Sequence, residues 1–230
     1  MTLIASLLVA ALSALFGVAA TIFATTKIES KKQEFSREQS MKGLYGELED
    51  LAQESEKLVR TLHALYCKFW LVDNENADFV KLSPYKFPSQ IRSEFLKEYS
   101  MLCMHEQPSE VRRALKVVLY LCDEVNQEIH PILALGKSKE IVNLDAAKIK
   151  VALSTASSIY YLSLKLTNER SRYRRADITP SELQQKVSES LGLLYLSKTN
   201  RTKEKVEAAI QLNSSNKAFK TDSQRSAFSV

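Results

Sequence analysis

Apolar positions recur at steps of three and four along most of this chain, and one stretch at its start has no charged position at all. Thr2 to Thr26 runs for twenty-five residues without Asp, Glu, Lys or Arg. At about 1.5 Å per residue it makes a helix of roughly 37 Å, enough to cross a hydrocarbon core of about 30 Å. The stretch therefore predicts a membrane helix over 2–26. A cleaved signal peptide is the competing reading, and Val18-Ala19-Ala20 would serve as a cut site. Nothing basic precedes the apolar run, and the run is longer than a signal core, which favours the span. Lys27, Lys31, Lys32 and Arg37 follow on one side only. The positive-inside rule then puts the N-terminus outside and the rest in the cytoplasm. Small residues at Ser6, Ala10, Ala14, Gly17, Thr21 and Ala24 share one helical face, the kind that lets membrane helices pack closely.

After a polar, charged stalk over 27–43, the strongest periodic signal begins. Met41, Leu44, Leu48, Leu51, Ser55, Leu58, Leu62, Leu65 and Phe69 alternate steps of three and four, a heptad seam with Ser55 its one polar break. Ala52, Val59 and Tyr66 widen the seam toward a bundle face; a parallel coiled coil continuing the membrane helix is the alternative. Gly43 and Gly46 mark either a hinge between stalk and bundle or tolerated helical glycines. Asp73 to Asp78 ends the helix and has the alternating acids of a calcium loop, but lacks its glycine and terminal Glu.

Pro88 is placed to open a short helix reaching His105, with Ile91, Phe95, Tyr99 and Leu102 as its apolar side. From Ser109, Val111, Leu115, Val118, Cys122, Val125, Ile129 and Ile132 form a second seam. Val117, Leu119, Tyr120 and Leu121 make that helix apolar nearly all round, which predicts the centre of the core, and Pro131 should end or kink it near His130. Asn143 can cap the next helix, which runs to about Arg172 through the small residues of 152–158. Thr179-Pro180-Ser181-Glu182 reads as a capping box opening a last helix, whose buried side is Leu183, Val187, Leu191 and Leu194 and which frays between Lys198 and Leu212. The polar tail 213–230 is expected to be disordered.

Composition agrees with helices. Only 5 Gly and 5 Pro occur in 230 residues, too few turn formers for a strand-rich fold. Three cysteines without paired spacing suit a reducing compartment. The net charge of +5 permits anionic partners without requiring them. Five scattered glycines cannot build a phosphate loop, and no HExxH, CxxC or Glu-x-x-His pair appears, so neither a catalytic residue nor a cofactor is assigned. Two constellations remain. His63 and Cys67 on one helix face, with Cys103 and His105 on another segment beside Met101 and Met104, have the residue types of a tetrahedral metal site, although buried Cys and His in cores more often pack. Arg170, Arg172, Arg174 and Arg175 crowd a helix C-terminus, where cations are favoured in any case and where guanidinium forks could also bind anions.

The expected architecture is all-α: a membrane helix, a stalk, an antiparallel cytoplasmic bundle of four long helices plus one short over 44–212, and a tail. The expected role is a membrane-tethered interaction or assembly module that meets the bilayer and a protein partner or its own copy. The alternatives are a binder of anionic lipid, an acidic partner or, less favoured, nucleic acid through the arginines, and a metal-binding or enzymatic bundle.

Overall fold

The computed structural model describes residues 2–75, 86–135, 146–197 and 201–212, the side chains of 2–20 and of residue 135 excepted. Their regular structure is entirely helical, without a strand, in the order α1 (Thr2–Glu75), α2 (Glu94–Cys103), α3 (Ser109–Leu135), α4 (Ala146–Glu169), α5 (Pro180–Ser190) and α6 (203–212). Single 3₁₀ turns close α2 at Met104–Glu106 and α4 at Arg170–Arg172. Three helices are long and three short, where four long and one short were expected.

α1 is one unbroken helix of 74 residues. Neither glycine hinges it. At Gly43 a Cβ would lie 2.5 Å from the Tyr99 ring, so glycine is what lets α2 lie against α1 there. Gly46 faces open space. From Leu44 onward the seam residues Leu48, Leu51, Ser55, Leu58, Leu62, Leu65 and Phe69 are buried, and Ser55 satisfies its hydroxyl on the Leu51 carbonyl at 2.7 Å. Residues 21–39 are exposed all round. Among the described residues no helix is long and apolar enough to cross a membrane. The described part of α1 supplies charges at short intervals from Lys27 on, and most side chains of the uncharged stretch, with Ser6, Ala10, Ala14 and Gly17 of its small face, lie outside the description; Thr21 and Ala24 are exposed.

The bundle is antiparallel. Asp73, at the far end of α1, accepts a hydrogen bond from the Ala146 N–H at 2.8 Å and so caps α4. At the other end of the pair Arg170 lies over the Tyr45 ring. α4 thus runs back along α1, and this is the most extensive helix pair in the structure. Ala152 and Ala156 are fully buried and Thr155 and Ser157 nearly so, the close approach that small residues permit. α2 also runs back along α1, from Tyr99 at Gly43 to Glu106, which pairs with Arg37. α3 points away again, tied to the neighbouring elements by Lys97–Asp123 at 3.0 Å and Thr155–Glu128 at 3.2 Å.

Several expectations change here. α2 starts at Glu94 and not at Pro88, and the Asn126 side chain takes both backbone groups of Ile91 that a helix would use: its Oδ1 accepts from the Ile91 N–H and its Nδ2 donates to the Ile91 carbonyl, both at 2.9 Å. The buried side of α2 is Leu96, Ser100 and Cys103, and Phe95 (65% exposed) and Leu102 face out. α3 keeps its predicted seam buried but is not the centre of the core. Tyr120 is 64% exposed, and the helix passes through Pro131 to Leu135. The capping box at Thr179 forms as expected, with Glu182 and Thr179 bonding each other's backbone N–H.

α5 does not fray; it stops. Gly192 takes φ 63°, Leu193 N–H bonds the Ser188 carbonyl at 2.8 Å and Gly192 N–H the Glu189 carbonyl at 3.1 Å, a Schellman ending that needs the left-handed glycine. The chain then folds back with Leu193 and Leu196 buried, and α6 adds Val206 and Ala209. Ser83-Pro84, Asn143 and the tail 213–230 lie outside the described residues, as does the latter part of the acidic loop.

Candidate functional site

The furrow between α1 and α4 has two halves. In the half farther from Thr2, α5, the 191–197 segment and α6 close it. Three α1 side chains one turn apart hold that cover. Arg60 donates to the Leu191 carbonyl at 2.9 Å, His63 Nε2–H donates to the Leu194 carbonyl at 2.9 Å, and the Tyr66 hydroxyl accepts from Arg201. A space of only ≈ 20 Å³ remains there, among Val59, His63, Ser157 and Leu193. In the half nearer Thr2 nothing among the described residues covers the furrow. It opens as a groove of ≈ 600 Å³, with Glu49, Ala52, Gln53 and Glu56 on the α1 wall and Tyr160, Leu164, Thr167, Asn168 and Arg170 along α4.

Two carboxylates, Glu49 and Glu56, line the groove from α1, and Arg170 lines it from the opposite side; Glu47, Asp50 and Glu54 are not among its lining residues. From Gly43 to Glu56 the chain carries Glu47, Glu49, Asp50, Glu54 and Glu56 and no Lys or Arg, against a net charge of +5 overall. Glu56 pairs with Arg60 at 2.9 Å. Glu49, Asp50 and Glu54 form no ion pair among the described residues. Burial, then the charges of Asp50 and Glu54, raise the Glu47 carboxyl above its ordinary pKa. Sequence reasoning missed this groove. The furrow depends on the position of α4 against α1, which periodicity alone does not give.

The arginines lie where the groove ends. Arg170 sits in the left-handed region at φ 51°, uncommon for a residue with a Cβ, its guanidinium 5.1 Å from the centre of the Tyr45 ring, a cation–π contact. Beyond it Tyr173 is buried, with Lys165 over its ring. The segment is tied down mainly through its backbone: Arg174 N–H to Glu169 and Arg175 N–H to Glu110, each at 3.2 Å, and the Arg174 carbonyl to Lys165. Arg172, Arg174 and Arg175 remain exposed. The cluster belongs to the bundle end nearer Thr2. Tyr45 stands nineteen residues beyond Thr26 on an unbroken helix, about 28 Å along the axis.

The proposed metal ligands do not converge. Cys103 lies close enough to Tyr45 to act on its phenol, and Cys67 is twenty-two residues farther along α1, about 33 Å away. His63 is buried and bonded to Leu194, and His105 is 74% exposed beside Glu106. No cluster of three potential ligands occurs among the described residues. Burial pushes the Cys67 and Cys122 thiols up to about 12, which keeps them protonated and unsuited to nucleophilic or ligand roles at neutral pH.

No protein-family model, no curated protein and no solved structure matches the chain.

Proposed function

We propose that this chain is a single-pass membrane-anchored protein whose cytoplasm-facing helical bundle is an interaction module without catalysis of its own. The observation that carries this reading is α1, in which the uncharged residues 2–26, the Lys-rich stalk and the first core helix form one uninterrupted element. A helix broken at Gly43 would uncouple bundle from anchor; a continuous one holds the bundle at a fixed height on a rod. A reporter fusion and a truncation test the reading. A reporter active only outside the cytoplasm, placed after Val230, should stay silent, and the full chain should resist alkaline extraction from membranes. A chain that begins at Lys27 should be extracted. An active reporter, or a full chain released by alkali, would overturn the anchor or its orientation.

A second reading concerns Arg172, Arg174 and Arg175, which stand exposed together at the bundle end nearer Thr2. The height of the rod decides its target. About 28 Å from the end of the uncharged stretch, the cluster lies beyond the Debye length of about 8 Å at physiological salt, within which headgroups act strongly. An acidic protein partner fits that height better than lipid. The triple Arg→Gln variant should therefore leave the salt resistance of membrane binding unchanged; release of that variant from anionic membranes at moderate salt would assign the cluster to headgroups.

A further inference from the structure

α2 buries Leu96, Ser100 and Cys103. Its other side holds large apolar residues in the open: Phe95 is 65% exposed, Met101 74% and Leu102 54%. Helical steps of three and four join Phe95, Glu98 and Leu102 in one row and Glu94, Glu98 and Met101 in the next. Apolar and acidic side chains thus form one outward face, which nothing among the described residues covers. Glu94 and Glu98 are exposed and form no ion pair among the described residues. Lys97, the cation of this helix, is taken by Asp123. Arg92 and His105 stand just before and just after it.

The second observation is where the exposed arginines lie relative to this face. The segment 170–177 carries four arginines and one acid, Asp177. Glu169 and Glu110 are held by the backbone N–H groups of Arg174 and Arg175. The guanidinium groups of Arg172, Arg174 and Arg175 form no ion pair among the described residues. α2 and α4 each pack on α1 and on α3, so they occupy opposite corners of the bundle. α1 fixes their level. The Tyr99 ring lies against Gly43, and Arg170, at the end of α4, lies over Tyr45. Two residues along a helix are about 3 Å in height and about 200° in direction. The acidic and apolar face of α2 and the arginines therefore look out from opposite sides of the molecule at one height.

We infer that the chain binds a second copy of itself through these two patches, the α2 face of one copy against Arg172, Arg174 and Arg175 of the next. Glu94 and Glu98 meet the guanidinium groups, Phe95 receives one of them on its ring, and Met101 and Leu102 pack along the arginine stems. The inference rests on the reading of the anchored bundle as an interaction module and names the acidic partner of its arginines. Anchoring selects a second copy over another acidic protein: copies standing in one membrane hold the two patches at equal height, and a turn about the membrane normal brings one to the other. The contact joins different patches, so every added copy leaves one patch of each kind free. Copies assemble into rings or rows and not into closed pairs.

The test uses the full chain in mild detergent, so association is read independently of anchoring, which alkaline extraction addresses. Sedimentation at rising protein concentration should show species larger than a dimer that salt dissociates. Glu94→Lys with Glu98→Lys, and separately the triple Arg→Gln variant at 172, 174 and 175, should each weaken association about tenfold or more. Their melting temperatures should hold, because all five side chains are exposed. Phe95→Ser with Leu102→Ser should weaken association as well. The deciding arm mixes the two charge variants. Each alone should be monomeric; the mixture retains one intact patch of each kind, and should form a one-to-one pair and stop there. A wild type that stays monomeric at every concentration would overturn the inference and leave the arginines to a different acidic protein. So would a wild type that closes at two copies, variants that associate as the wild type does, or a mixture that stays monomeric.

Discussion

Residues 21–39 and residues 44–71 belong to the same helix under different conditions. In the first span every side chain is exposed; in the second a seam from Leu44 to Leu71 is buried against α2 and α4. The second is held helical by packing. The first has no packing in the described structure, and its helicity rests on its residues and its position. Lys, Glu, Gln and Arg are good helix formers, no Gly or Pro occurs from Val18 to Lys42, and extending an existing helix costs far less than nucleating one. Periodicity therefore reports where a helix is buried, not where it stops, and the exposed half joins the bundle to the uncharged stretch as a rod.

The comparison breaks first where energies differ most. Leu62, fully buried, should cost about 2–5 kcal/mol when changed to Ala, and Phe35, 62% exposed, should stay within about 0.5 kcal/mol. Chemical denaturation of the two variants measures both; equal losses would mean that the exposed half is packed on something.

The two glycines sharpen the contrast. Gly43→Ala drives a methyl into the Tyr99 ring and should destabilise by about 1–3 kcal/mol as the ring is displaced. Gly46→Ala meets open space and should stabilise by up to about 1 kcal/mol through helix propensity. Opposite signs three residues apart, read as melting temperatures, are the expected outcome; a shared sign would contradict the assignment of Tyr99 to Gly43.

A smaller effect belongs to the covered half of the furrow. Burial holds the His63 imidazole below its ordinary pKa of about 6.5. As pH falls through that value the unfolded chain takes up a proton that the folded chain refuses, so the stability present above about 6.5 declines below it. His63→Gln should flatten that part of the pH–stability curve. An unchanged slope would remove His63 as the group that seals α1 to Leu194.

What was readable in the sequence followed from side-chain periodicity and local caps. The seams of α1 and α3 and the box at Thr179 were read residue by residue. What was not readable depended on partners distant in sequence. The start of α2 is set by Asn126, thirty-five residues from Ile91. The cap of α4 includes Asp73, read only as part of a loop. Periodicity continued past Gly192, whose left-handed turn stops α5 and lets the chain fold back over α1. The arginines were visible as a cluster, but their end of the bundle was fixed only by the pairing of Arg170 with Tyr45. The groove was invisible because its walls come from helices more than a hundred residues apart.

The most direct measurement of the account is a distance along α1. Spin labels on cysteines introduced at Lys27 and Glu49, both exposed, with Cys67, Cys103 and Cys122 buried and slow to react, would be read by double electron–electron resonance on the full chain. A continuous helix predicts one narrow distribution near 33 Å, from about 1.5 Å per residue over twenty-two residues and broadened only by the label arms. A broad or clearly shorter distribution would show a hinge between stalk and bundle and contradict the rod on which the proposed function stands.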